Sequence, residues 1–328
     1  MQLDEKKLMP LVGIVIPTWN LANDTENCLN DLLNQDYSGI EITIVDNDSK
    51  DHTVEMIQKN YPQIKLIRNP TNLGFAAACN LGIRHAKARG AEFIFLINND
   101  TEIPADVVRL MVEYAGSHPE SALFGTCIKP ITSGDVLAKT RTNMHALWGN
   151  KKNKQTIDRS GPVDLIWGCG MLIRSQLIDA IGYFDPTFFA YDEDRDFCMR
   201  TRQAGYEIHL VAEVEIRHKI SRSTGGLLKD SSFRAYLLGR NRVRLWKKHA
   251  TKANAGVYIV RGIMLFLIAF CSRWLRRNPK ASTAAMFGIF EGLFSSPRSW
   301  PRFPKRFCDI DGIEPQKIAG YLTKLNCT

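Results

Sequence analysis

Residues 11–20 read LVGIVIPTWN, residues 40–51 read IEITIVDNDSKD and residues 93–102 read FIFLINNDTE. Each opens with a short, nearly continuous apolar run and closes on polar or acidic residues. A run of that length without alternation is how a parallel strand covered on both faces reads. The strands expected are Leu11–Ile16, stopping at Pro17, then Ile40–Val45, Ile64–Ile67 and Phe93–Ile97. Helical stretches fall between them, over Asn23–Gln35, Thr53–Asn60 and Phe75–Ala88. Strand and helix in alternation give βαβ units, hence an α/β fold with a doubly wound, mostly parallel sheet flanked by helices. Ligands of such sheets bind at the carboxyl ends of the strands. The residues to read are therefore Pro17 to Asn20, Asp46 to Asp51 and Asn98 to Thr101.

Further along, Ile103–Ser117 predicts a helix with Pro104 in its first turn, and Leu123–Ile128 a strand. Thr132–Gly161 is a polar excursion and Val163–Arg174 returns to a strand-like pattern. Asp192–Ala204 predicts a helix closed by Gly205, and Tyr206–Ile216 a strand. After His218 the character changes. Asp230–His249 is a basic helix, and Ala255–Leu275 and Ala281–Phe294 are apolar ones. The unbroken run Gly262–Cys271 is half the roughly 20 residues a membrane-spanning helix needs. Two units are expected, a sheet-bearing one over 1–228 and a basic helical extension over 229–328.

The 328 residues are 45% hydrophobic and 23% charged, which fits a soluble globular protein and excludes wholesale disorder or a polytopic membrane protein. The net charge of +9 is unevenly spread. From Arg217 to Arg306 there are 20 Lys and Arg against Asp230 and Glu291, a net +18 that leaves −9 for the remainder. Such a stretch seeks a polyanion. Its arginines alternate with Trp274, Trp300 and Phe303 beside apolar helices, which suits an anionic membrane surface, with an ordinary, internally packed helical subdomain as the alternative. No helix-turn-helix, zinc or RNP signature accompanies it, so nucleic acid is not the expected partner. The 8 cysteines form no CxxC pair and sit mostly among apolar neighbours, as buried residues of a protein in a reducing cytosol do. Met1–Pro10 has no apolar stretch of the signal-peptide type.

Carboxylates gathered at strand ends repel one another unless a positive charge sits among them. A divalent cation holding a phosphate group is the simple solution, because Mg2+ and Mn2+ take oxygen ligands. The competing role for these residues is capping of the following helices, open above all for Ser49 and Asp51. No GxGxxG or GxxxxGK[ST] follows any strand, which argues against Rossmann oxidoreductases and P-loop NTPases. A nucleotidyltransferase-like enzyme on the same sheet, or a non-catalytic nucleic-acid binder, are the alternative functions.

Val12–Asn20, Ile44–Asp51, Asn72–Asn80, Leu96–Glu102, Gly170–Arg174, Gly182–Asp185 and Tyr191–Arg200 together resemble the motifs of family 2 glycosyltransferases of the GT-A fold, in the same order. The likeness is greatest to the rhamnosyltransferase-like branch and covers about residues 10–245. It implies an inverting transferase that takes a sugar from a dTDP- or UDP-linked donor, with Mg2+ or Mn2+. The implied acceptor is a glycan or lipid-linked intermediate of cell-surface polysaccharide synthesis, at the cytoplasmic face of the membrane. Asp46 resembles the acceptor for the nucleobase imide N–H, with Asn47 beside it. Pro17, Thr18 and Asn20 resemble the first nucleotide-contacting loop, and Gly74 and Asn80 the loop and helix start that lie against the nucleotide. Asn98-Asn99-Asp100 stands in the place of the DxD motif, with Asn98 replacing the first acid and Asp100 the implied metal ligand. His218 resembles the late histidine that completes the metal or diphosphate site. Asp48 stands where the family usually has glycine.

Glu193-Asp194 resembles the catalytic ED pair. Attack by an acceptor hydroxyl needs one positioned carboxylate as general base, and the expectation is Asp194, with Glu193 second. A helix start also favours acids by itself. Arg222 is expected at the diphosphate, with Arg240 and Arg242 as further candidates or solvated residues; the guanidinium fork suits phosphate. Trp167 and Gly170 are expected to shape the acceptor pocket, with a place in the core as the equal alternative for Trp167.

Overall fold

The protein is described here by a computed structural model, which covers residues 9–131, 159–219, 231–249 and 278–296, with Val260, Met264, Leu267 and Pro301. The first half contains β1 (Val12–Thr18), α1 (Ala22–Leu33), β2 (Ile40–Asp46), α2 (Thr53–Asn60), β3 (Lys65–Arg68), α3 (Phe75–Ala88), β4 (Phe93–Leu96), β5 (Thr101–Glu102), α4 (Val107–Ser117) and β6 (Ser121–Pro130). Then come β7 (Gly161–Pro162), β8 (Met171–Arg174), α5 (Ser175–Ile181), a 3-10 turn at Pro186–Phe188, α6 (Glu193–Gln203) and β9 (Glu207–His218). Two helices follow, α7 (Ser232–His249) and α8 (Pro279–Phe294).

The described strands form one sheet in the order β3-β2-β1-β4-β8-β6-β9-β5, with β7 also on β9. β1, β2, β3 and β4 run parallel, and β6 runs parallel to β9. β8 is antiparallel to β4 and β6. Helices cover both faces, which explains the unbroken apolar runs. Val12, Ile14 and Ile16 pack with Cys28, Leu29 and Leu32 of α1, whereas Val15 packs with Ala76, Cys79 and Ile83 of α3. Alternate residues of β1 thus enter two separate cores. The β1–β2 register sets Thr18 beside Asp46, so the polar strand ends share one edge.

Two expectations need correction. The helix expected from Ile103 begins at Val107. The Ile103 N–H donates to Asp31 and the Pro104 carbonyl accepts from Gln35, so these residues are tethered to α1 and its C-terminal turn. Val163–Arg174 is not one strand: β7 ends just before it at Pro162, residues 163–170 are a connection, and only Met171–Arg174 is strand, as β8. Gly170 breaks the expected strand with φ +72, and a Cβ there would lie 2.1 Å from Thr126 Oγ1. β5 and α5 had no sequence reading. Residues 132–158 of the polar excursion, nearly all of Ala255–Leu275, and the clusters Arg273–Arg277 and Arg298–Arg306 (Pro301 apart) lie outside the described residues.

α7 and α8 cross on glycines. A Cβ at Gly288 would lie 2.1 Å from the Tyr236 carbonyl and one at Gly239 2.5 Å from the Ala285 carbonyl. The pair docks through Phe233, Tyr236, Leu237 and Ala284 onto Leu73, Ala77 and Phe189. Part of the basic charge of α7 is spent inside the protein. Lys248 bonds Asp185 and Asp196, Arg242 bonds Asp192, and His249 bonds Asp196.

Asp196 is fully buried. Burial alone would raise its carboxyl, but the His249 hydrogen bond and the Arg200 and Lys248 charges overcome this and hold it well below the usual carboxylate range. A carboxyl depressed in the folded state contributes stability above its unfolded pKa of about 3.9 and loses it as the pH falls further. Asp185 and Asp192 shift the same way. The urea midpoint is therefore expected to drop between pH 5 and pH 3. Asp196→Asn should lower the midpoint at pH 7 and flatten that dependence; an unchanged profile in this variant would refute the assignment.

Candidate functional site

The carboxyl edge is built around Asp46. Its side chain is 2% exposed; Oδ2 accepts from the Ser49 N–H at 3.1 Å, while Oδ1 has no partner. Burial raises its carboxyl, and the Ser49 bonds offset this only in part. A buried oxygen left unpaired costs about 1–3 kcal/mol, so this atom is poised for a donor from outside.

The neighbouring residues assemble the edge by spending their polar groups on one another. Asn47 donates to the Gly74 carbonyl at 3.2 Å and accepts from Asn69 at 2.9 Å. Asn20, at φ 58, donates its N–H to Ser49 Oγ and accepts the Lys50 N–H, both at 2.7 Å. Asn99 donates to the Asn20 carbonyl and to Thr25 Oγ1. Pro17 and Thr18 are buried at the end of β1, where the Thr18 hydroxyl donates to the Ile16 carbonyl. Asp51 accepts from the N–H groups of Ala22 and Thr53, the capping role left open by the sequence. Gly74 has φ +83, and a Cβ there would lie 2.6 Å from the Phe189 carbonyl. Asn80 is buried, and both ends of its amide pair with the Phe184 backbone, at 2.8 and 3.0 Å, tying α3 to the chain before the 3-10 turn.

Beside β1, the end of β4 carries Asn98 and Asp100. The pairing of Thr101 with His218 brings β9 alongside. His218 Nε2 lies 2.9 Å from Asp100 Oδ1 and 3.1 Å from Asn98 Nδ2. Asn98 Oδ1 is buried without a partner. Two oxygen donors and one imidazole nitrogen, one of the oxygens unsatisfied, fit Mg2+ or Mn2+. Arg222 lies outside the described residues.

The third component is the start of α6. Phe189, Tyr191 and Asp192 all have φ between 66 and 71, a left-handed conformation costly for side chains of this size. Asn241 of α7 holds this loop, donating to the Phe188, Ala190 and Tyr191 carbonyls at 2.8 Å each. The Ala76 N–H donates to the Phe189 carbonyl, joining the loop to the residues after Gly74. Sequence reading missed Asn241; its one signal was a poor helix former in mid-helix. Glu193 is 6% exposed with Oε2 unpartnered. Burial first and the Asp194 charge second raise it well above the usual range. Asp194 is half-buried and accepts from the Arg195 and Gly168 N–H groups. Burial raises its carboxyl too, against the opposing Arg195 charge. The flanking Gly168 lies against Phe75, and Trp167 beside it is 49% exposed. Gly170 serves packing: its N–H donates to Leu96 and its missing Cβ admits Thr126.

Arg240 and Arg242 are corrected. Arg240 is fully buried against Glu291 at 3.0 Å, and Arg242 pairs with Asp192 at 3.2 Å. Neither is an unengaged cation for a diphosphate.

The family model for glycosyl transferase family 2 matches residues 13–182. An N-acetylglucosaminyl-diphospho-decaprenol L-rhamnosyltransferase of Mycobacterium tuberculosis is 23% identical over 243 residues, which is 66% of this chain and 78% of the relative. Glycosyltransferase AglE of Haloferax volcanii is 24% identical over 288 residues, 85% of this chain and 90% of its own. Among solved structures, S. aureus TarS 1-349 in complex with UDP has a TM-score of 0.52 at 16% identity, covering 93% of this chain and 100% of that one. The mannosyltransferase PcManGT from Pyrobaculum calidifontis, in complex with GDP-Man and Mn2+, has a TM-score of 0.54 at 17% identity, covering 97% and 81%. These likenesses show the fold, a mostly parallel GT-A sheet flanked by helices.

Proposed function

The chain belongs to glycosyl transferase family 2, and from that premise we propose that it is an inverting hexosyltransferase. It moves a sugar from a dTDP- or UDP-linked donor to a hydroxyl of a glycan or lipid-linked acceptor in cell-surface polysaccharide synthesis. The observation that carries this reading is the pair of buried, unsatisfied oxygens at adjacent strand ends, Asp46 Oδ1 and Asn98 Oδ1. The first suits the imide N–H of uracil or thymine, and the second a metal–diphosphate group.

In the proposed reaction the acceptor oxygen attacks the anomeric carbon from the side opposite the diphosphate. The bond from that carbon to the phosphate oxygen breaks, and its electron pair leaves with the nucleoside diphosphate. The hydroxyl proton passes to Asp194. One displacement inverts the anomeric centre. Burial raises both carboxyls, while the Arg195 charge is the leading influence that favours the ionised form of Asp194, as a base requires. Asn98, Asp100 and His218 would hold Mg2+ or Mn2+, which when bound supplies positive charge to the leaving diphosphate. Trp167 offers an exposed ring for sugar stacking.

The acceptor side supports a membrane-facing enzyme. Phe290, Leu293 and Phe294 are exposed on α8, and Val260, Met264 and Leu267 are each more than half exposed. Basic residues flank these segments in sequence. Among the described residues no helix is long and apolar enough to cross a membrane. Docking to the inner face of an anionic bilayer fits that combination.

The test is a thermal-shift series on the full chain with UDP, dTDP and GDP, each with and without Mn2+ or Mg2+. Ligand at 100 times its dissociation constant stabilises the native state by about 2.7 kcal/mol. A metal-dependent rise with UDP or dTDP, lost in Asp46→Ala, is expected. No rise with any diphosphate in folded protein would overturn the reading.

A further inference from the structure

The opposite end of the sheet carries a cluster that the transfer reaction leaves unused. β6 and β9 run parallel from Ser121 beside Glu207 to Pro130 beside His218. The β6 partners of His209 and His218 are Phe124 and Pro130, six residues apart, because an irregularity in β9 takes up the extra residues; at about 3.3 Å per residue the two histidines are roughly 20 Å apart. Around the start of both strands stand His118, Glu120 and His209, whose ligand atoms lie within 4.8 Å of one another. The two imidazole rings have centroids 5.0 Å apart. His209 is buried, His118 half-buried and Glu120 exposed, so the group opens to solvent on one side.

A hydrogen bond sets the His118 ring for ligation, and two others orient His209. His118 Nδ1 lies 2.8 Å from the Tyr114 carbonyl. A carbonyl only accepts, so Nδ1 carries the proton and Nε2 presents its lone pair. His209 Nδ1 lies 3.1 Å from Tyr114 Oη, and its Nε2 lies 3.0 Å from Glu207 Oε2. With Glu207 ionised, Nε2 donates to it and Nδ1 accepts from the Tyr114 hydroxyl; an ion taking Nε2 would displace that proton, after which Nδ1–H donates to Tyr114 Oη. Carbonyl- and hydroxyl-backed imidazoles of this kind are the usual outer shell of a metal-binding histidine. The backbone is held as well. Arg174 donates to the carbonyls of Ala115, at 2.5 Å, and His118, at 3.3 Å, fixing the turn that links α4 to β6.

We propose that His118, His209 and Glu120 form a second, distal metal site for a divalent transition ion, with zinc favoured. Two imidazoles and one carboxylate, with a fourth position left for water or Glu207, are a tetrahedral zinc set. The carboxyl edge offers only one imidazole among oxygens, a harder donor set. The distal ion would pin the C-terminal end of α4 to the start of β9 and stand apart from sugar transfer.

The test is a competition titration of EDTA-stripped full-length protein with Zn2+ against a chromogenic chelator. One zinc per chain is expected in the wild type. Tyr114→Phe, which removes an outer-shell partner, should weaken it about 10-fold to 100-fold. H118Q/E120Q should abolish it at the same zinc concentrations while keeping a cooperative thermal unfolding transition without metal. Both sites of that double change are partly or fully exposed, so the fold is kept. His218→Gln should leave this zinc in place. Zinc retained by H118Q/E120Q, zinc lost in His218→Gln alone, or no zinc bound by the wild type would each overturn the proposal.

Discussion

Asp194→Asn is expected to lower the turnover number for sugar transfer by about 10²–10⁴-fold, the contribution of a positioned general base. Its melting temperature should stay the same or rise. The two readouts together separate catalysis from capping. Asp194 lies in the first turn of α6, where a role limited to favourable charge at the helix start would be worth about 0.3–1 kcal/mol of stability and would leave turnover near the wild-type value. The stability sign follows from the raised carboxyl. Where a folded-state carboxyl is pushed above its ordinary value, stability falls as the pH rises through the window between the two values. At neutral pH the cost of the ionised, desolvated Asp194 is fully present, and an amide removes it. The wild-type kcat/KM should fall on the acid side at a higher pH than an unperturbed aspartate would give. Asp194→Asn with near-wild-type turnover would remove Asp194 from the proposed chemistry.

Arg240→Leu should cost about 3–5 kcal/mol of folding free energy, because it strands Glu291 as a buried charge. Arg240 is fully buried, and Glu291 holds it through Oε1 at 3.0 Å while Oε2 accepts from Tyr236 at 2.7 Å. Replacing both partners should restore most of the loss, since the pair repays its own desolvation only partly. A denaturant double-mutant cycle over Arg240→Leu and Glu291→Leu measures this. Additive losses would show that the two side chains do not depend on each other. The effect should reach the site as well. Arg240 also donates to the Thr187 carbonyl at 3.0 Å, and the adjacent Asn241 holds the left-handed turn before Glu193. The single variant is therefore expected to lose turnover at temperatures where it is still folded, and the double variant less.

The order of strands and helices over residues 11–130 was legible because a strand buried on both faces leaves an apolar run that polar strand ends interrupt. The placement of Asp46 and Asp100 at the carboxyl edge followed from that alone. The same signal failed at Val163–Arg174, where glycine spacing breaks a strand-like pattern. It also gave no sign that the Asn80 amide pairs with a backbone more than 100 residues away.

The sequence by itself determined the sheet, the edge at which polar residues gather, and the acids at the start of α6. Those features are local: periodicity, strand-end composition and helix-start charge act over a few residues. Only the tertiary structure decided which charges are available. The alternation of basic residues in α7 reads as a solvated face, yet Arg240 meets Glu291 across 51 residues and Arg242 meets Asp192 across 50. His218 meets Asp100 across 118. A buried ion pair or a shared donor group forms only when chain closure brings the partners together, and the identity of the distant partner leaves no mark on the local pattern.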